Sequence, residues 1–264
     1  VLRWLIDHVP IWLLLIVVVG VIVGLVFLIV WLVRRLVPPV REGFDAEVSS
    51  QMLGVVSALF GLLLAFIVVI AYQNFGDTQT NVSNEADALA AVVRDSGAFP
   101  KPDGDRVRAA VGVYVRAVVD DEWARMHQGR DSARAAAAVN GIYAALQGVN
   151  PKGARAVAFY DDAVQQLSGA LVGRRNRLND AAGGLPWVIG VLLLVGSLVI
   201  FGYSVLVGSR SFWFHVIGAA AIALVLGLSL VVLLDLTYPF SGDLSVSSAP
   251  FHTGALAQFF ASSR

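Results

Sequence analysis

Hydrophobic positions along the chain fall into two regimes. Four stretches are almost wholly apolar: Ile11 to Val33, Gln51 to Tyr72, Trp187 to Val207 and Phe212 to Leu234. Each is long enough to cross a hydrocarbon core, which takes about 20 residues at about 1.5 Å rise apiece. Pro10 precedes the first, and Arg34, Arg35, Pro38 and Pro39 follow it. Gly183, Gly184 and Pro186 open the third, and Gly208, Ser209, Arg210 and Ser211 form a tight connection to the fourth. Trp12, Trp31, Tyr72, Trp187, Tyr203, Trp213 and Tyr238 sit near the ends of these runs, where amphipathic rings favour the headgroup layer. The first run exceeds a signal-peptide core and two arginines follow it directly, so it reads as a retained span.

Between Asn74 and Gly184 the apolar residues recur at helical spacing instead. Val82, Ala86, Leu89 and Val93 form one such series, and Val107, Val111, Tyr114 and Val118 a second. Val139, Ile142, Tyr143 and Leu146 form a third, and Phe159, Ala163, Leu167 and Leu171 a fourth. Turn signals separate them at 97–104, 129–131 and 148–153. The pattern predicts an all-α membrane protein of four transmembrane helices, with a helical soluble domain inserted between the second and third. The expected division is a membrane half at 1–72 (spans near 11–33 and 51–72), a soluble domain at 73–184, and a second membrane half with a tail at 185–264 (spans near 187–207 and 212–234). The soluble helices are expected to continue out of the second span and into the third.

Composition sharpens this picture. Hydrophobic residues make up 57% and charged residues 14%, with a mean hydropathy of +0.74. An ordinary soluble domain carries about 25% charge, so the lipid bilayer is the expected solvent. The formal net charge is zero, which argues against a nucleic-acid partner. There is no cysteine, and of 19 basic residues only Lys101 and Lys152 are lysines. Arginine over lysine, with abundant Ala and Val, points to a GC-rich bacterial genome and thus to a multi-pass protein of the inner (plasma) membrane. Arg34, Arg35, Arg41 and Arg210 lie in the short connections, which the positive-inside rule makes cytoplasmic. Asp77, Glu85 and Asp87 open the soluble domain, which is therefore expected outside the cytoplasm, although Arg3, Arg174, Arg175 and Arg177 weigh the other way.

Candidate chemistry is sparse. His8, His127, His215 and His252 are scattered without metal-ligand spacing, and no nucleotide-binding or nucleophile motif is present. No cofactor, metal or catalytic group is expected, and the chain does not read as an enzyme. Asp120, Asp121 and Glu122 read as a solvated helix face. Small residues recur every fourth position within the spans: Gly20 and Gly24, then Ser57, Gly61 and Ala65, then Ala219, Ala223 and Gly227. Such stripes allow close helix approach, either within one subunit or between subunits. Ser57, Phe60 and Leu64 are the pore-lining candidates of the second span, because a ring of such residues forms a constriction that gates by dewetting; lipid-facing aromatics are the other reading. Asp235 ends the fourth apolar run, where an ionised carboxylate is costly unless paired or wet. Pro239 and Gly242 then turn the chain, and Phe251, Leu256, Phe259 and Phe260 return it to the membrane surface or onto the soluble domain.

The chain resembles the bacterial DUF4239 family of bestrophin-like membrane proteins over most of its length. The resemblance rests on Asn84-Glu85-Ala86 with Leu89, on Glu122-Trp123-Ala124-Arg125-Met126, and on Arg174-Arg175-Asn176-Arg177-Leu178. Its most specific element is Leu234-Asp235-Leu236-Thr237-Tyr238-Pro239-Phe240-Ser241-Gly242-Asp243-Leu244, in which Tyr238 stands where the family often has His or Arg before Pro-Phe. The label implies kinship to bestrophins, pentameric anion channels with four membrane helices per subunit and a pore lined largely by the second. No acidic run of the calcium-clasp kind accompanies it, so calcium gating is not implied. Two functions are expected on this basis. One is a homo-oligomeric ion channel for small anions. The other is a non-enzymatic scaffold or accessory subunit that binds an envelope protein through its helical domain. A transporter is disfavoured, since the halves show no repeat and no broken span.

Overall fold

The computed structural model describes residues 11–36, 46–207, 211–242 and 244–261. Arg3, His8, Arg41, Arg210 and Asp243 therefore lie outside the described residues. The described residues are mostly helical, with no strand among them. The elements are α1 (Ile11–Leu36), α2 (Ala46–Asp95), a 3-10 turn (Ser96–Ala98), α3 (Lys101–Ala117), a π turn (Val118–Glu122), α4 (Trp123–Met126), α5 (Ala133–Gln147), α6 (Ala154–Ala182), α7 (Trp187–Leu206) and α8 (Phe212–Thr237), then two 3-10 turns, Ala249–His252 and Gly254–Phe259. Among the described residues four helices are long and apolar enough to cross a membrane. The chain divides into two compact units, one of 1–73 with 184–237 and one of 74–183 with 238–264.

The first unit holds α1, the apolar part of α2, α7 and α8. Val26 and Val30 of α1 pack against Val205 of α7 and Val216 and Ala219 of α8. A side chain at Gly227 of α8 would run into Ile22 of α1, so glycine there permits the close approach of the two helices. Most other large apolar side chains of the unit are exposed, Leu59, Leu62 and Phe66 of α2 among them. That is the inverse of a water-soluble fold and suits hydrocarbon as the solvent.

α2 runs for 50 residues, about 75 Å at helical rise, so only part of it fits a bilayer of about 30 Å. No proline interrupts 41–99. Where the apolar run ends, Thr78, Thr80 and Ser83 return their hydroxyls to the carbonyls of Asn74, Gly76 and Gln79, which lets polar residues remain in the helix. The expected continuation into the third span does not occur: α6 stops at Ala182 and α7 begins at Trp187. Gly183 is extended at φ −60°, ψ 177°, and Pro186 at the α7 N-cap cannot donate to a helical turn.

The second unit is built on the amphipathic part of α2, with α3, α5 and α6. Val82, Leu89, Val107, Val111, Ile142 and Leu167 share its core and are all but fully buried. Ser132 caps α5 by accepting from the Ala135 N–H at 3.1 Å. The tail belongs here: Phe240, Val246, Phe251 and Leu256 join the same core. It is turned by Pro239–Gly242, with Ser241 N–H donating to Tyr238 O at 2.9 Å and Gly242 at φ 80°, a left-handed conformation that glycine takes without strain.

Candidate functional site

Two places concentrate the residues that the sequence singles out. The first is a charge cluster inside the helical unit. Glu85 on α2, Glu122 at the end of the π turn and Arg177 on α6 have no exposed side-chain surface. Carboxylates and guanidinium groups reach such burial only when paired. Arg177 presents its fork to Glu85, Nε to Oε2 at 2.7 Å and Nη2 to Oε1 at 3.0 Å, while Nη2 also reaches Glu122 Oε2 at 2.9 Å. Its remaining nitrogen, Nη1, meets the Met126 sulfur at 3.0 Å. Glu122 is held a second time, by Arg174 Nη2 at 2.5 Å and by the Ser132 N–H at 3.2 Å. The Tyr114 hydroxyl donates to Glu85 Oε1 at 2.6 Å. Burial first, and then the Glu85 charge, push that phenol well above its usual range, so it stays a donor.

Local backbone makes the cluster possible. Glu85 Cβ lies 2.9 Å and its Cα 3.2 Å from where a Cβ on Gly173 would stand, so α2 and α6 touch at a glycine one turn before Arg177. The π turn widens the helix at Val118–Glu122 and reorients the residues beyond it. This corrects the solvated-face reading of Asp120, Asp121 and Glu122: Asp120 is exposed, Asp121 bonds Ser132 and Arg125, and Glu122 points into the core. Aromatic rings close the cluster. The Arg177 guanidinium lies 5.4 Å from the Trp123 ring centre and 5.9 Å from that of Phe251, and Trp123 meets Phe240 and Phe251 edge-on at 5.6 and 6.0 Å.

Glu85, Glu122, Trp123, Arg177 and Phe240, scattered in the sequence, thus converge on one cluster. Pro239 and Gly242 form the turn that delivers Phe240 to it. Every nitrogen of the Arg177 fork is occupied and both carboxylates are bonded, so the cluster is closed chemically and works as a clamp. Met126 and Arg174 stand within the motifs that carry the resemblance, but sequence reasoning gives no sign that Tyr114 and Gly173 belong to the cluster. The spacing of Arg174 and Arg177 also places both on one side of α6. Among the described residues no group of three His, Asp or Glu is placed to hold a metal ion.

The second place is the membrane unit around α2. Ser57, Gly61, Leu64 and Ala65 line a groove of about 670 Å³, with Ile200 of α7 and Val225 of α8 opposite. Leu64 is buried at 5% exposure. Phe60 is also buried, its ring seated on Gly196 of α7, where a Cβ would collide with it. The three pore-lining candidates therefore face the chain's own third and fourth spans. The side of α2 that faces away carries Val55, Leu59, Leu62 and Phe66, at 57–65% exposure. Of the small-residue stripes, Ala219, Ala223 and Gly227 pack inside the chain against α1. A Cβ at Gly20, Gly24 or Gly61 would meet nothing, and Ala65 is exposed. Asp235 is buried in the last turn of α8.

The apolar spans make this a multi-pass membrane protein. A Bestrophin-like domain model matches residues 20–251, which takes in most of the first span, the other three and the charge cluster. No curated protein matches the chain. The cluster gathers Glu85, Glu122, Trp123, Arg177 and Phe240 from the motifs on which the resemblance rests, and the match covers most of the sequence: the chain belongs to the bestrophin-like DUF4239 family.

Proposed function

We propose that the protein is a homo-oligomeric channel for small anions, with its second span at the pore. The observation that carries this is the outward face of α2: Val55, Leu59, Leu62 and Phe66 are exposed, uncharged and helically spaced, and nothing among the described residues covers them. Repeated around a symmetry axis, such a face makes an apolar constriction that opens by wetting. Gly20 and Gly24, open in the single chain, supply close-approach positions for neighbouring copies. In this reading Phe60 supports the pore helix through Gly196, and Ser57 and Leu64 do so from the groove. The family's kinship in name to anion channels points the same way.

The test is ion flux from liposomes holding the purified full chain, chloride against potassium against empty vesicles, beside the oligomeric state in detergent. Selective flux from a ring of subunits, changed by Leu62→Ser on the exposed face, is the expected result. Absence of flux from folded, inserted protein would refute the channel and favour the scaffold, for which exposed Val157, Val164 and Val172 on α6 offer a partner surface. We further propose that the protein lies in a bacterial inner membrane with its helical unit outside the cytoplasm. A single cysteine at exposed Val113, in a chain that has none, reports sidedness through an impermeant thiol reagent.

A further inference from the structure

The outward face of α2 does not stop where its apolar run stops. The helix is unbroken from Ala46 to Asp95, and the steps of three and four residues that join Val55, Leu59, Leu62 and Phe66 continue to Gln73, Asp77, Thr80, Asn84 and Asp87. These five are exposed, whereas Ala71, Thr78, Val82, Glu85 and Leu89, on the opposite side, are buried. The chemistry changes along the face. No charged residue occurs from Val48 to Gly76. Asp77 and Asp87 then bring two negative charges, about 16 Å and about 31 Å of helix beyond Phe66. Neither forms an ion pair among the described residues, unlike Glu85, which the clamp occupies. The first basic residue beyond them on α2 is Arg94, about 25 Å past Asp77. Charges in water are screened over about 8 Å at physiological salt, so Arg94 leaves Asp77 uncompensated. Thr80 donates its hydroxyl to Gly76 O at 3.0 Å, and Gln73 and Asn84 add no charge.

We propose that this polar stripe forms one mouth of the pore, and that Asp77 and Asp87 make anion flow rectify, chloride entering less readily through this mouth than through the other. The inference rests on the channel reading, with the outward face of α2 at the axis. Around such an axis each copy adds one Asp77 and one Asp87, so each position becomes a ring of negative charge. Rings of that sign draw cations and deplete anions in the water around them. The apolar constriction carries no charge of its own, so the current follows the number of anions that reach it from each end. Gln51, exposed toward the other end of the same face, brings no charge there. Depletion at one end only makes the current depend on its direction. A doubly charged anion feels the ring potential twice over, so the same mouth favours singly charged anions.

The experiment is single-channel recording of the full chain in planar bilayers, in symmetric chloride at about 0.1 M and about 1 M. Wild type is compared with the pair Asp77→Asn and Asp87→Asn, and with the pair Asp77→Lys and Asp87→Lys. Wild-type currents at equal and opposite voltages are expected to differ about threefold at low salt. They should converge at high salt, where screening shortens to about 3 Å. The asparagine pair should equalise the two directions at low salt, and the lysine pair should reverse their order. A cysteine at Asn84, in a chain that has none, checks the placement: a charged thiol reagent should change its current and leave that of Val113→Cys unaltered. A symmetric wild-type response at low salt, an asymmetry that survives the asparagine pair, or an Asn84→Cys current indifferent to the reagent would overturn the mouth and leave the channel standing. No current from any variant, folded and inserted, would sink the channel and the mouth with it. A potassium current that falls in the asparagine pair would also overturn the inference, since the stripe would then serve cations.

Discussion

Replacing Arg177 by Met tests the buried clamp most directly. Met matches the length of the arginine stem and fills most of its volume, so the change removes the fork with little cavity. Three N–H···O contacts go, at 2.7 and 3.0 Å to Glu85 and 2.9 Å to Glu122. The two carboxylates do not suffer equally. Glu122 keeps Arg174 at 2.5 Å and the Ser132 N–H, whereas Glu85 is left with the Tyr114 hydroxyl. A charge stranded at zero exposure by loss of its partner costs about 3–5 kcal/mol. Of a total stability on the order of 5–15 kcal/mol, that is a large fraction.

At about 2–4 °C per kcal/mol for a chain of this size, the melting temperature should fall by about 6–20 °C. The assay is thermal unfolding of the full chain in detergent, followed by tryptophan fluorescence, since Trp123 lies against the guanidinium. Arg177→Lys should lose an intermediate amount, because a point charge cannot serve two carboxylates through a planar fork. The diagnostic is the double variant Arg177→Met with Glu85→Gln. Neutralising the stranded carboxylate should recover part of the loss, with a coupling of about 0.5–3 kcal/mol. If Arg177→Met melts within about 2 °C of wild type, or if the two changes add independently, the clamp is not what holds α2 to α6.

Packing dictates three further outcomes. Gly173→Ala should destabilise by about 1–3 kcal/mol because its Cβ would press on Glu85 Cβ at 2.9 Å, whereas Gly169→Ala, open on the same helix, should stabilise by about 0.5–1 kcal/mol; paired melting curves decide it. Phe251→Ala should cost about 3–5 kcal/mol and expose the tail to limited proteolysis ahead of the helices, since the ring is fully buried in the helical unit. Gly196→Ala should weaken the membrane unit by collision with the Phe60 ring, and Phe60→Leu in the same chain should restore it, as read by melting of the detergent-solubilised protein.

The spans and the core face of α2 were legible because each rests on a local signal. Apolar runs of about 20 residues have few other readings, and Val82, Ala86, Leu89 and Val93 are all buried as their spacing requires. Gly242 likewise takes the turn that its place after Pro239 suggests. On α6 the same logic picks a partly wrong face. Phe159 stands at 36% exposure and Tyr143 of α5 at 40%, while the buried side of α6 is Ala156, Ala163, Leu167, Ala170 and Gly173. Periodicity weights large residues, yet helices that approach closely do so on small ones, and alanine is too common here to mark a face. Glu122 escapes for another reason: a π turn changes the phase of the helix, and no residue in Val-Val-Asp-Asp-Glu announces one.

The clamp shows where a sequence reading must stop even when it names the right residues. Glu85 and Arg177 are 92 positions apart, and each has like-charged neighbours in sequence that could take its place in the pair: Asp87 beside the one, Arg174 and Arg175 beside the other. Hydropathy places all of them on the surface. What selects one pairing is not charge but the close approach of Gly173 to Glu85, which sets the register of α6 on α2 and leaves Arg177, one turn on, facing both carboxylates. Contacts made by alanine and glycine tolerate a slide of one turn at little cost, whereas a slide of about 5 Å would take the Arg177 fork away from both of its partners and leave two carboxylates buried without it. The small residues bring the helices together, and the charges decide where they stop.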